Sequence, residues 1–176
     1  EHADTPAAHD DEHEDEHAES AGHGHGGPTG SPGAAADVTR TVKITMGDNF
    51  FEPENLTFAP GETIRFVVTN GGEFVHEFNI GTADMHTEHQ KEMMMMVEQN
   101  VLLPERIDMK AAAKMQETMG HGMHKDPNSV LLEPGQSAEI IWTFPDEDED
   151  DVVIEFGCNV PGHYEAGMVG TFIFGA

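Results

Sequence analysis

The chain has 176 residues, a length that favours one domain with room for appendages. Lys and Arg total 8 against 34 Asp and Glu, a formal charge of −26, which argues against nucleic acid or an anionic membrane as a partner and suits a cation or a basic protein. No apolar run approaches the ~18 residues that a spanning helix needs. The opening Glu1-His2-Ala3 reads as the start of a processed chain, with the expectation that an export signal has been removed.

Residues 1–37 carry six His and ten acidic residues, no Lys or Arg, and almost no large apolar side chain. Such a stretch buries too little apolar surface to offset the entropy of ordering, so a disordered acidic tail is expected. Its scattered His, among them His2, His23 and His25, are candidate metal ligands by composition. From about residue 40 the pattern turns to β. Val42, Ile44 and Met46 alternate with polar residues, and so do Ile64, Phe66 and Val68 after Pro60-Gly61. His76, Phe78 and Ile80 share one parity. Residues 82–128 break the alternation: they are rich in Ala, Glu, Lys, Gln and Met, which favours helix. Two helices are expected, near 84–99 and near 105–119, with Pro104 at the start of the second and Gly120 at its end. Alternation returns at Ala138, Ile140, Trp142 and Phe144, again at Val152, Ile154, Phe156 and Cys158, and finally at Phe172 to Phe174. Alternating strands punctuated by turns predict an antiparallel sandwich, with residues 82–128 as a helical insertion.

The single cysteine excludes an internal disulfide, leaving a buried thiol, a reactive thiol or a metal ligand. Cys158 opens the segment Cys158-Asn159-Val160-Pro161-Gly162-His163-Tyr164-Glu165-Ala166-Gly167-Met168, which reads C-x4-H-x4-M. Strand parity puts its sulfur on the inner face, and the loop returns an imidazole and a thioether toward the same point. A second imidazole must come from elsewhere. His76 is the candidate, on a face with Phe74 and Phe78 where an unpaired imidazole is costly. A thiolate, two imidazoles and a weak axial thioether suit copper in both oxidation states, whereas zinc prefers four strong ligands.

These motifs resemble the cupredoxin family of type 1 copper proteins. The resemblance covers about residues 40–81 and 129–176. It rests on Gly72-Glu73-Phe74-Val75-His76-Glu77-Phe78 and on Cys158 to Met168 with the closing Gly-Met-Val-Gly at 167–170. It implies an all-β Greek-key β-sandwich domain over 38–176, with the helical insertion and the disordered His-rich tail appended. It also implies that His76, Cys158, His163 and Met168 bind copper. Many members carry Asn or Ser directly after the first ligand His, where it helps order the cysteine loop. Here that residue is Glu77, and a carboxylate is an acceptor, not an amide donor.

A plain electron carrier needs none of the surplus His and Met. The insertion holds nine of the 11 Met and four of the 12 His. In a helix over 84–99, Met85, His89, Met93 and Met96 share one stripe, close to His86. His121, Met123 and His124 follow further on. Thioethers select Cu(I) and imidazole accepts either state, so these residues are candidate extra copper ligands; the competing reading is a Met stripe that packs on the sandwich. Such additions resemble the copper-tolerance cupredoxins of bacteria, the CopI type. That resemblance implies an exported, periplasmic protein that binds and buffers copper, with Cu(I) oxidation as a further activity. The alternative is a soluble electron-transfer protein with a redox partner. A multicopper oxidase ranks low, because the only His-x-His pair is His23-Gly24-His25.

Overall fold

The computed structural model describes residues 27–123 and 125–175. In chain order the elements are β1 (Ser31–Pro32), β2 (Arg40–Gly47), β3 (Phe50–Glu52), β4 (Asn55–Phe58), β5 (Thr63–Asn70), β6 (His76–Gly81), α1 (Ala83–Glu98), α2 (Met109–Met119), β7 (Ser129–Leu132), β8 (Ser137–Thr143), β9 (Ile154–Gly157) and β10 (Val169–Phe174). They form two five-stranded sheets, ordered β1-β8-β5-β2-β3 and β4-β10-β9-β6-β7. The expected sandwich is therefore present, but its sheets are mixed. β2 pairs with β5, and β4 with β10, in parallel. Alternation reports which face of a strand is buried and carries no information on strand direction, which is why the parallel pairs escape it.

The core lies between the sheets. Phe66, Phe78 and Phe156 are wholly buried. Phe78 lies 5.5 Å from each of the other two rings, and Phe51 sits edge-on to Phe156 at 5.2 Å. Each such ring contributes about 1.5–3 kcal/mol through burial. Gly170 is required beneath this cluster, because a Cβ there would fall 2.1 Å from the Phe156 ring and 2.4 Å from the Glu54 carbonyl.

Residues 27–37 belong to the sandwich, so the disordered tail expected over 1–37 does not extend through them. β1 pairs with β8, and the buried Trp142 indole donates to the Thr29 carbonyl at 2.8 Å. A buried indole N–H needs an acceptor, and composition gives no sign that this one lies 113 residues upstream.

The insertion joins β6 to β7, two strands that pair with each other. Helix α1 is capped by the Thr82 hydroxyl, which accepts from the Met85 N–H. Helix α2 starts at Met109, not at Pro104. Asp108 caps it by accepting from the N–H groups of Lys110 and Ala111, while the Pro104 carbonyl is taken by the Val75 N–H at 2.8 Å. Gly120 ends α2 in the left-handed region at φ 72°. Among the described residues no helix is long and apolar enough to cross a membrane.

Candidate metal centre

β6 and β9 are neighbours, and each delivers a side chain to the same end of the sandwich. His76 is the first residue of β6, Cys158 directly follows β9, and both are fully buried. His163 comes from the loop after Cys158 and is half-buried. The two Nδ1 atoms are 3.2 Å apart, and Cys158 Sγ lies 3.4 Å from Nδ1 of His163 and 3.9 Å from Nδ1 of His76. A point equidistant from the three atoms is about 2 Å from each, the length of an ordinary metal–nitrogen bond. Two imidazoles and one thiol facing a common point at that spacing fit a metal ion; they are the cluster of metal-ligating side chains found among the described residues.

The tautomer of His76 is set from behind. Its Nε2 donates to Asp48 Oδ1 at 2.7 Å, which leaves the Nδ1 lone pair facing the centre. Asp48 sits on the turn after β2 and also accepts from the N–H groups of Glu73 and Phe74. Burial opposes its charge, but these hydrogen bonds outweigh it and leave Asp48 below the usual carboxylate range. Gly72 makes the approach possible: a Cβ there would meet Asp48 Oδ1 at 2.3 Å and His76 Nε2 at 3.0 Å. Asn70, fully buried, accepts from the Gly72 N–H and donates to the carbonyls of Phe74 and Leu132, which holds the strand leading into His76.

The loop from Cys158 to Met168 closes on itself. Cys158 N–H donates to the Met168 carbonyl, and Met168 N–H to the His163 carbonyl, both at 3.1 Å. Gly162 and Gly167 supply the positive φ values, 87° and 103°, that the turns demand. Met168 is fully buried at the base of β10. Burial pushes the Cys158 thiol up to about 12, and the nearby Glu77 carboxylate opposes its ionisation further. A cation at the centre would overcome both, since a metal-bound thiol gives up its proton outright. Burial, then the adjacent His76, holds His163 below the ordinary imidazole value.

A second ring of groups surrounds the cysteine, and the helical insertion supplies most of it. The Glu77 N–H donates to Cys158 Sγ at 3.3 Å. Its buried carboxylate accepts from Asn159 Nδ2 at 3.0 Å and from His89 Nε2 at 2.8 Å. Asn159, also fully buried, donates to His86 Nδ1 at 2.9 Å and accepts from Gln90 at 3.2 Å. The loop is thus ordered with polarity opposite to the familiar one: Asn159, after the cysteine, donates, and Glu77, after the histidine, accepts. Sequence reasoning singled out Glu77 but missed Asp48, Asn159 and Gln90. The Asp48-Asn49 turn, where Asn49 takes φ 69°, was the only local sign of the first.

The surplus residues divide. The buried face of α1 runs through His86, Met93 and Met96, with His89 beside them, whereas Met85 is 42 % exposed. The expected stripe of Met85, His89, Met93 and Met96 is therefore rotated by one residue at its start. Both ring nitrogens of His89 are engaged by carboxylates, and Nδ1 of His86 is held by Asn159. His89, Met93, Met96, His121 and Met123 line one cavity of about 1200 Å³ between the insertion and the β7–β8 region. His2, His23, His25 and His124 lie outside the described residues.

Comparison with known proteins agrees with this geometry. Residues 38–175 match the family described as copper binding proteins, plastocyanin/azurin family. The chain is 45 % identical over 151 residues to the copper-resistant cuproprotein CopI of Pseudomonas aeruginosa, covering 80 % of this chain and 79 % of that protein. It is 38 % identical to the protein of the same name from Rubrivivax gelatinosus, covering 83 % and 73 %, and 30 % identical to that of Vibrio cholerae, covering 80 % and 68 %. Among solved structures, auracyanin B overlays with TM-score 0.56 at 17 % identity, covering 86 % of this chain and 97 % of that one. Reduced auracyanin from Roseiflexus castenholzii overlays with TM-score 0.53 at 21 % identity, covering 79 % and 99 %. At these identities the overlays speak for the fold alone.

Proposed function

The chain belongs to the plastocyanin/azurin family of copper-binding proteins and is related to the CopI-type cuproproteins; on that premise we propose that it is a periplasmic protein of copper tolerance with a type 1 centre at His76, Cys158, His163 and Met168. The observation that carries the reading is the convergence of His76 Nδ1, His163 Nδ1 and Cys158 Sγ on one point, with the buried Met168 joined by its backbone to both the cysteine and the second histidine. Copper bound there would supply a one-electron couple in a site of soft and borderline donors. Asp48 holds His76 in the ligating tautomer, the Glu77 N–H takes part of the charge on sulfur, and the closed loop keeps the donors in place. Met93, Met96, His121 and Met123 on the cavity of the insertion, and the tail His, would capture further copper, because several weak sites raise its local concentration; His89, held at both ring nitrogens, would not.

Copper titration followed by visible and electron-spin spectra tests the centre. The intact protein is expected to show an intense sulfur-to-Cu(II) band that Cys158→Ser abolishes; a band that survives this change would sink the assignment. More than one copper per chain is expected, with part of the Cu(II) uptake lost on removal of residues 1–26, which leaves β1 and Thr29 in place. One observation favours a second reading, a soluble electron carrier: His163 is half-buried while the other proposed ligands are fully buried, so its imidazole edge is the part of the centre nearest to a docked redox partner. Growth separates the two. Tolerance requires that cells lacking the protein fail at raised copper and grow normally at trace copper. A respiratory or photosynthetic defect at trace copper, with unchanged copper sensitivity, would instead identify an electron carrier.

A further inference from the structure

We propose that His89, on the insertion helix, is a positioning residue of the metal centre: as an imidazolium clasped between Glu77 and Glu92, it neutralises the carboxylate beside the cysteine sulfur and ties the cysteine loop to α1. The proposal rests on the copper reading above for its effect on the metal, and on geometry alone for the clasp.

Geometry assigns the charge. His89 Nε2 is 2.8 Å from Glu77 Oε2, and Nδ1 is 3.1 Å from Glu92 Oε2. A neutral imidazole has one N–H and would turn a lone pair toward the other carboxylate. Only the doubly protonated ring donates to both. Burial opposes that charge, but the hydrogen bonds and charges of Glu77 and Glu92 outweigh it and carry His89 up to about 9. The Glu77 carboxylate is nearly excluded from water, with a side chain 4 % exposed, so its charge would be costly without a partner.

The clasp reaches the ligands by a short route. Glu77 follows His76, its N–H donates to Cys158 Sγ, and its second carboxylate oxygen accepts from Asn159, the residue after the cysteine. His86 and Gln90, on the same face of α1, take up the other hydrogen of the Asn159 amide and its oxygen. Every hydrogen-bonding group of the Asn159 amide is thereby used, and each of its three partners either lies on α1 or is clasped by it. The insertion is a wall of the metal centre as well as a carrier of methionines.

Charge near the sulfur decides the sign of the test. In His89→Gln a neutral amide keeps a hydrogen bond to Glu77 but leaves its negative charge uncompensated, which favours Cu(II). The Cu(II)/Cu(I) ratio at fixed potential is expected to rise at least tenfold, about 59 mV for one electron. Glu77→Gln is expected to move it the other way, and the double variant to return within threefold of the unaltered protein. A clasp that only braced the fold would move both single variants in one direction and the double variant furthest; that pattern, or no shift, overturns the proposal. A copper-free measurement stands beside it. Nitrogen-15 spectra of the apoprotein at pH 7 should show both His89 ring nitrogens protonated, and one protonated nitrogen would overturn the clasp. If the unaltered protein shows no charge-transfer band, the copper reading fails, and the nitrogen spectrum still decides the clasp.

Discussion

Gly72 and Asp48 act on His76 from outside the proposed ligand set. Asp48 holds His76 only because residue 72 has no side chain, since a Cβ would fall 2.3 Å from the carboxylate oxygen. Removing the partner of a ligating histidine typically costs 10–100-fold in metal affinity. Asp48→Ala is expected to weaken Cu(II) binding by about that factor, and Gly72→Ala to weaken it in the same direction with Asp48 still present, both measured by chelator competition. Equal affinity in Gly72→Ala would mean that the turn yields and the carboxylate follows. The proposed ligands were legible as candidates because three of the four sit in one 11-residue segment whose spacing is a local property, and the structure brings His76, Cys158 and His163 together. Asp48 was not, because nothing near residue 48 reports that the chain brings it against His76, 28 residues away.

At the scale of the element, α1 is the part whose existence was legible and whose facing was not. A composition of Met, Glu, His and Gln predicts a helix, but all four are spread around it, so no apolar stripe singles out the buried side. The structure buries Met93 to 1 % and leaves Met85 at 42 %. Met93→Ala is expected to cost about 2–5 kcal/mol in chemical denaturation, and Met85→Ala to stay within about 0.5 kcal/mol. Similar losses at both would mean that α1 packs through another face. The buried His86 and the half-buried His89 of α1 make the apoprotein sensitive to pH from opposite sides. His89 keeps its proton up to about 9, whereas an unfolded histidine releases it near 6.5. Its contribution is therefore complete below pH 6.5 and drains away as pH rises toward 9. Burial and the charge of His89 hold His86 neutral down to about 4, so its contribution drains as pH falls from 6.5 toward 4. The melting temperature of the apoprotein, followed from pH 4 to 8.5, is expected to peak near 6.5. His89→Gln should flatten the alkaline limb and leave the acid limb; an alkaline limb that persists in that variant would remove His89 as its cause.

Across the whole molecule, six of the ten strands and their buried faces followed from alternation, but the short β1, β3, β4 and β7 did not, nor did the pairing partners. β1 docks on β8 across more than a hundred residues, and β6 meets β7 only after the insertion has left and returned. The same arrangement sorts the methionines into two populations. Met85, Met94, Met109 and Met119 face solvent, whereas Met46, Met93, Met115 and Met168 are almost wholly enclosed. Sulfoxide formation converts a thioether into a polar group and needs access by the oxidant. Under dilute peroxide, peptide mass mapping of the folded protein should find the first four oxidised well before the second four; simultaneous loss would mean that the insertion opens on the time scale of the reaction. In the first outcome the exterior of the insertion would serve as a sacrificial layer, consuming peroxide while Met168, at the base of β10, stays in the thioether form, and reductive repair of the outer residues would regenerate it without unfolding the sandwich.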